Sequence, residues 1–255
     1  MYRVAIVKLT SCSGCVNEVV YAFTFSDVIS KYRIEYSTEL TDVEEMREVD
    51  IAFVEGSITN RRQEELIKSV RSKARFVVAL GTCAIMGGVQ SLRVGSDIND
   101  VKGLVYPEPR YIEVYSNVKP VTDAIMADLA IPGCPVNGDA VVSFLRKYAL
   151  GGLPIAIYES VCAECKRREL ECVMVARGVP CLGPVTISGC RAICPSFGRE
   201  CYGCYGIKYF DLDKGKIEAF SRRLAELGMS REDMGALLKG YGFKVYSKIT
   251  RDEET

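Results

Sequence analysis

Cysteine is the residue type in this chain with the most distinctive chemistry. The 255 residues include 12 cysteines and no histidine. In a reducing compartment, pairs such as Cys12-x2-Cys15 are more often metal ligands or redox centres than disulfides. The lack of imidazole excludes Cys₂His₂ zinc sites, most copper sites and Rieske centres. The remaining candidates are all-thiolate sites, either Cys₄ zinc or Cys₄ iron–sulfur, and the 12 cysteines divide into three sets of four.

The overall composition excludes several classes of partner. Acidic and basic residues number 33 each, which leaves no net charge for binding DNA, RNA or an anionic membrane surface. No window approaches the roughly 20 apolar residues of a membrane helix, and no secretory signal precedes the first strand-like run. Because 48% of the residues are hydrophobic, the chain can bury a core without disulfide staples. We expect a cytoplasmic protein with no nucleic-acid partner and no membrane insertion.

The elements that must position the first cysteines are alternating strands and helices. Residues 1–150 contain five β-branched runs with helical periodicity between them: Val4–Leu9, Arg33–Ser37, Asp50–Glu55, Arg75–Leu80 and Asp128–Ile131. Asn60 and Asn137 are predicted helix N-caps, Asn60 with Gln63 in a capping box. This alternation predicts an α/β fold, a flavodoxin-like doubly wound parallel sheet covered by helices on both faces.

Four cysteines follow predicted strands. Cys12 and Cys15 come after the first strand, Cys83 after the fourth and Cys134 after the fifth. Ligands of open α/β sheets bind at the carboxyl ends of the strands, so we expect these four, the strand-end quartet, to converge there. The surrounding loops contain glycines that let a backbone approach an inorganic core: Gly14, Gly81 and Gly133. A buried thiol can be merely a small hydrophobe, and a lone C-S-G-C can be a thioredoxin-like pair, but that pair leaves Cys83 and Cys134 unexplained.

The other eight cysteines lie in residues 162–204, with the spacing C-x2-C-x6-C-x8-C-x8-C-x3-C-x6-C-x2-C. A zinc ribbon would use only the outer pairs and leave four cysteines over, whereas two Cys₄ clusters use all eight. The run of a bacterial two-cluster ferredoxin is absent. We predict three regions: a flavodoxin-like domain (1–150), a small loop-rich iron–sulfur domain (151–210) folded largely by its metals, and a helical extension (211–255) with helices over 216–227 and 231–239.

These motifs, in their order, resemble a known family. TSCSGC, VEGSI, ALGTCA and IPGCPVN resemble the small subunit of [NiFe] hydrogenases. The later segments VCAEC, PCLGPVTISGC, CPSFG and CYGC resemble its cytoplasmic, multi-subunit branch of sulfhydrogenases and related coenzyme- or viologen-reducing enzymes. The resemblance covers roughly residues 1–210.

The resemblance implies three [4Fe–4S] clusters as cofactors. The proximal cluster would be bound by Cys12, Cys15, Cys83 and Cys134. The medial cluster would be bound by Cys190, Cys194, Cys201 and Cys204, and the distal cluster by Cys162, Cys165, Cys172 and Cys181. In membrane-associated relatives a proline replaces the thiolate that Cys194 provides, and a histidine stands in the place of Cys162. Spacing alone leaves the grouping of the last eight cysteines open.

The resemblance also implies a role and partners. The chain would have no catalytic residues of its own and would pass single electrons between the nickel–iron site of a large subunit and a downstream reductase. The implied partners are that large subunit, a flavin-containing reductase subunit and a ferredoxin-like subunit. The terminal acceptor stays open among nicotinamide, deazaflavin, heterodisulfide reductase and polysulfide. Two other interpretations remain: a quinone-reductase-type cluster subunit, and a zinc-stabilised interaction module.

Overall fold

The chain divides into two compact units, Met1–Pro154 and Ile155–Thr255, here called the sheet unit and the cysteine-rich unit. A computed structural model describes residues 1–154, 159–208 and 214–252. The predicted boundary at residues 150 and 151 lies close to the division between the units. The boundary predicted at residues 210 and 211 lies outside the described residues, so the three-region division stays a prediction.

The sheet unit is built on five parallel strands in the order β2-β1-β3-β4-β5. The strands are β1 (Tyr2–Lys8), β2 (Tyr32–Ser37), β3 (Val49–Glu55), β4 (Ala74–Leu80) and β5 (Leu129–Ile131). Each predicted strand differs from the observed one by at most two residues at either end. This order is the flavodoxin-like one, so the predicted fold is confirmed, and its topological switch point lies between β1 and β3.

Helices cover the sheet of this unit. They are α1 (Gly14–Ala22), α2 (Ser26–Ile29), α3 (Arg61–Lys73), α4 (Gly81–Met86), α5 (Ile98–Val105), α6 (Val121–Ala124) and α7 (Gly138–Ala149), with 3₁₀ turns at Gly88–Arg93 and Pro109–Tyr111. The main core is a cluster of 18 buried residues. In this cluster the Phe144 ring of α7 meets Phe53 edge-on, with the ring centroids 5.8 Å apart. Burial of such side chains, at about 1.5–3 kcal/mol each, holds the strand ends in place.

Both predicted asparagine caps are confirmed. The Asn60 side chain accepts a hydrogen bond from the Gln63 amide at 2.9 Å, and the Asn137 side chain accepts one from the Asp139 amide at 2.8 Å. Gln63 reaches back one residue further than in a capping box, because its Oε1 accepts from the Thr59 amide at 2.8 Å. These caps fix where α3 and α7 begin.

The cysteine-rich unit has short elements around its cysteines and two longer helices after them. The helices are α8 (Val161–Arg167), α9 (Val173–Ala176), α10 (Ile193–Ser196), α11 (Lys214–Glu226) and α12 (Arg231–Asp252), and a 3₁₀ turn spans Gly183–Val185. Ser230 caps α12, its Oγ accepting from the Asp233 amide at 3.0 Å. The predicted end of this helix at residue 239 is wrong, because the helix resumes after a single non-helical residue, Gly242. None of the helices in the described residues is long and apolar enough to span a bilayer.

Candidate metal centres

The strand-end quartet lies at the carboxyl ends of β1, β4 and β5. Cys12 follows β1 in an exposed loop, and Cys134 follows β5. Cys15 and Cys83 lie within the first turns of α1 and α4. Both thiols are therefore close to the backbone N–H groups of a helix start, which favour negative charge.

These four thiols share one electrostatic environment. Burial raises the pKa of Cys83 to about 11, and the neighbouring Cys134 and Cys12 add to the increase. Burial also raises the pKa of Cys15 and of Cys134, and each lies in the field of other members of the quartet. Four neighbouring thiolates repel one another unless cationic iron compensates them. Each of these four thiols thus lies within electrostatic range of at least two of the others, and their binding of one cluster stays a prediction.

The backbone around the quartet leaves room for sulfur. A Cβ added to Gly81 would stand 2.5 Å from Cys15 Sγ, and one added to Gly88 would stand 2.3 Å from Cys83 Sγ. Both glycines have positive φ, 83° and 69°, which other residues rarely adopt. The Val136 amide donates to the sulfur of Cys15. Glycine cradles, backbone donors and thiolates together fit a cluster of iron and sulfide. Sequence reasoning identified Gly81 but missed Gly88.

Glu55 is a further member of this site that sequence reasoning missed. It ends the apolar strand β3, is only 1% exposed, and accepts a hydrogen bond from the Val16 amide at 2.6 Å. The Cys15 amide also donates to it, while burial raises the pKa of the carboxyl group. Since α1 has no side-chain cap of its own, Glu55 supplies acceptors for the first turn that carries Cys15. The signal in the sequence that could have identified Glu55 is a carboxylate that directly follows the apolar run IAFV at the end of a strand.

One group of thiols in the cysteine-rich unit forms around α8. Cys162 and Cys165 lie on this helix, Cys172 precedes α9, and Cys181 is buried before the 3₁₀ turn. Burial raises the pKa of Cys162 and of Cys165, and Cys172 and Cys181 add to both increases. Cys162 and Cys165 therefore lie within electrostatic range of Cys172 and Cys181, and these four are the set that the resemblance assigns to one cluster.

A second group contains Cys190 and Cys201. Burial raises the pKa of Cys201 to about 11, with contributions from Cys181 and Cys190. The Gly203 amide donates to the sulfur of Cys201, and the Ile193 amide donates to that of Cys190. Cys194 lies on α10, and Cys204 follows Cys201 in a loop.

The two groups adjoin at Cys181. The Cys201 amide donates a hydrogen bond to Cys181 Sγ at 3.2 Å. Val161, Val173 and Ala192 pack with these two cysteines in a small hydrophobic cluster, which is much smaller than the core of the sheet unit. In the described parts of the chain, no three histidine, cysteine or carboxylate side chains meet where one metal ion could sit.

Comparisons with known proteins agree with this architecture. Residues 12–148 match the family described as NADH ubiquinone oxidoreductase, 20 Kd subunit. The chain is 34% identical to sulfhydrogenase 2 subunit delta of Pyrococcus furiosus, across 90% of this chain and 97% of that protein. It is 31% identical to a subunit of the F420-non-reducing hydrogenase vhu of Methanocaldococcus jannaschii, across 84% of each chain.

A solved structure shows the same relationship. A crystal structure of an NAD⁺-reducing [NiFe]-hydrogenase in the H₂-reduced state superposes with a TM-score of 0.55 at 26% identity, covering 62% of this chain and 96% of that one. The family match spans more than half of the chain, including the whole strand-end quartet. The chain therefore belongs to the NADH ubiquinone oxidoreductase 20 Kd subunit family and, within it, to the small subunits of [NiFe] hydrogenases.

Proposed function

We propose that the chain relays single electrons through three [4Fe–4S] clusters, between the nickel–iron site of a large subunit and a downstream reductase subunit. The strand-end quartet would hold the proximal cluster. The medial cluster would be held by Cys190, Cys194, Cys201 and Cys204, and the distal cluster by Cys162, Cys165, Cys172 and Cys181. Catalysis on dihydrogen would belong to the large subunit.

The convergence of the strand-end quartet carries this proposal. Its cysteines come from three separate stretches of the sequence, yet Cys12 and Cys134 help to raise the pKa of Cys83, and Cys83 and Cys134 help to raise that of Cys15. Gly81 and Gly88 leave space beside two of the sulfurs that any other residue would fill. Both glycines also have a positive φ, which other residues rarely adopt.

The residues of this chain would hold the clusters and set their potentials. Each bound cluster supplies a centre that accepts and gives up one electron at a time. Cysteine thiolates bind the iron, and amides such as those of Val136 and Ile193 donate to ligand sulfurs. Such hydrogen bonds, together with burial and nearby charge, tune iron–sulfur potentials over about −700 to +450 mV.

The grouping of the last eight cysteines is supported by their neighbours. Cys162, Cys165, Cys172 and Cys181 lie in one another's fields, as one cluster requires. Cys190 helps to raise the pKa of Cys201, as the adjoining Cys181 also does. The bond from the Cys201 amide to Cys181 Sγ makes the two proposed clusters neighbours, which suits electron transfer between them.

The relatives support the proposed partners. One is named as a subunit of a sulfhydrogenase, and another, from Cupriavidus necator, as a subunit of an NAD-reducing hydrogenase. We infer a large-subunit partner, and also a flavin-containing reductase and a ferredoxin-like subunit beyond this chain. The terminal acceptor stays open among nicotinamide, deazaflavin, heterodisulfide reductase and polysulfide. A cytoplasmic location stays a prediction from the sequence.

Metal analysis of the anaerobically purified full chain tests the proposal. We expect about 12 iron atoms per chain, little zinc, and three separable EPR signals on reduction. A zinc-rich, colourless protein would contradict an electron relay and support the zinc-stabilised module instead.

A second candidate function is a cluster subunit of a quinone reductase. The description of the matching family favours it for the region of residues 12–148. That match ends before the last eight cysteines, and membership of a quinone reductase does not predict these cysteines. Hydrogen-dependent reduction of the clusters in the purified complex would decide for the hydrogenase. Reduction only by NADH or quinol would decide against it.

A further inference from the structure

Glu164 connects the two proposed clusters of the cysteine-rich unit. It lies on α8 between Cys162 and Cys165, but its carboxylate contacts the loop that carries Cys190. Oε1 accepts from the Gly189 amide at 2.8 Å, and Oε2 accepts from the Ala192 amide at 3.1 Å. Oε2 also lies 3.8 Å from Cys190 Sγ. The half-buried carboxylate of Glu164, which lies between two cysteines of the first group, is thus in contact with Cys190, a cysteine of the second group.

Arg168 completes the contact from the next turn of the chain. Its guanidinium donates to the carbonyl oxygen of Arg191. The Arg191 carbonyl and the Ala192 amide belong to the same peptide group. A cation and an anion four residues apart therefore hold opposite sides of one peptide plane, and charge-assisted bonds of this kind are stronger than neutral ones.

This peptide group is in a conformation that needs support. Arg191 and Ala192 have φ values of 57° and 49°, in the left-handed region that non-glycine residues rarely enter. Each such residue destabilises the turn, because its Cβ is crowded by the neighbouring carbonyl oxygen. The turn that they form directs the Ile193 amide toward the sulfur of Cys190. Without the bonds from α8, the loop would relax and this donor would move away from the sulfur.

We propose that Glu164 is a positioning residue of the relay: together with Arg168 it fixes the peptide group between Arg191 and Ala192, and its charge lowers the reduction potential of the cluster bound by Cys190. The inference rests on the proposed function, because it assumes that cluster. The electrostatic part follows from distance. A negative charge so close to a ligand sulfur opposes the addition of an electron, whereas the positive charge of the exposed Arg168, which is screened by solvent, favours it weakly.

The test is an EPR redox titration of the full chain, loaded with its clusters, in the complex. Glu164→Gln keeps the shape and an acceptor oxygen but removes the charge. We expect the potential of the Cys190 cluster to rise, changing its reduced-to-oxidised ratio at fixed potential on the order of tenfold. Arg168→Gln should move the same signal slightly in the opposite direction. Glu159→Gln, a surface carboxylate of the same unit paired with Arg167, is the matched control and should leave it unchanged.

Three outcomes decide the matter. Opposite shifts in Glu164→Gln and Arg168→Gln, with an unmoved control, support the proposal, since a purely structural role does not depend on the sign of the charge. An unchanged potential in Glu164→Gln, or an equal shift in the control, overturns it. If Glu164→Gln loses this cluster, the direction of the shift in Arg168→Gln decides. Failure of the proposed function is distinguishable, because wild-type protein would then lack iron and show no such signal.

Discussion

The two units of the chain hold their cysteines by opposite means. In the sheet unit, a core of 18 buried residues, of which only Cys15 is a cysteine, fixes the strand ends. In the cysteine-rich unit, the hydrophobic cluster around the thiols has five buried residues, two of them cysteines. The first site is thus positioned by its fold. The second depends on its ligands for much of its stability, because so small an apolar cluster contributes little.

The difference also appears in how each unit uses charge. The sheet unit buries Glu55 at 1% exposure under the first turn of α1. The cysteine-rich unit uses half-exposed ion pairs and the contacts of Glu164 and Arg168 on a left-handed turn. A rigid sheet can bury one carboxylate where it is needed, whereas a loop-rich region needs several weaker contacts. The comparison predicts that the two units respond differently to the same perturbation.

Removal of iron should produce the largest difference between the units. Anaerobic chelation is expected to abolish protection from amide hydrogen exchange in residues 159–208, while β1, β3 and β4 stay protected. Structural metals contribute on the order of 10 kcal/mol to small domains, and the hydrophobic cluster around these thiols has only five buried residues. Hydrogen-exchange mass spectrometry of the apo and loaded chain measures both regions at once. Equal loss of protection in both units would contradict the comparison.

Loss of one ligand of the strand-end quartet should be local. Cys134→Ser is expected to remove the proximal EPR signal and about four iron atoms per chain, while the other two signals stay. Cys201→Ser is the companion variant. Because the Cys201 amide and thiol lie between the two groups of the cysteine-rich unit, it should disturb both of their signals. If the Cys134→Ser protein kept all three signals, the proximal assignment would be wrong.

Replacing a glycine beside a sulfur of the strand-end quartet should have an effect of intermediate size. Gly88→Ala places a Cβ 2.3 Å from Cys83 Sγ, so the thiol must move and the proximal cluster should assemble poorly. Gly151→Ala is the matched control: its φ of 76° is equally unfavourable, but nothing lies within 4 Å of the added Cβ. The control should lose only about 1 kcal/mol of stability and no iron. Iron analysis measures cluster assembly in both variants, and chemical denaturation measures their stability.

Replacing Glu55 should have the smallest effect. Glu55→Gln keeps an acceptor for the Val16 amide, so the fold and iron content should be preserved. The removal of a buried acidic group should make the proximal potential more positive and leave the other two signals in place. EPR redox titration measures this shift. A shift of the medial or distal signals alone would show that the charge acts elsewhere.

The fold was readable from the sequence because its signals are local. Five apolar, β-branched runs and two asparagine caps lie within short windows, and the observed strands match them to within two residues. The predicted end of α12 at residue 239 is wrong, since Gly242 interrupts the helix without ending it. Whether a glycine ends a helix or only kinks it depends on the residues that pack against the helix on each side of the glycine. Those residues lie outside any short stretch of the sequence around it.

The sequence by itself determined the chemistry of the ligands: 12 cysteines, no histidine, and their spacing along the chain. It also determined the strand ends that carry the first four. Only the tertiary structure decided what surrounds the sulfurs. Glu55 accepts a hydrogen bond from the Val16 amide, which is 39 residues away along the sequence. Glu164 accepts one from the Ala192 amide, which is 28 residues away. Such contacts depend on burial and on the paths of separate segments, so the residues that tune the site appear only when the chain is folded.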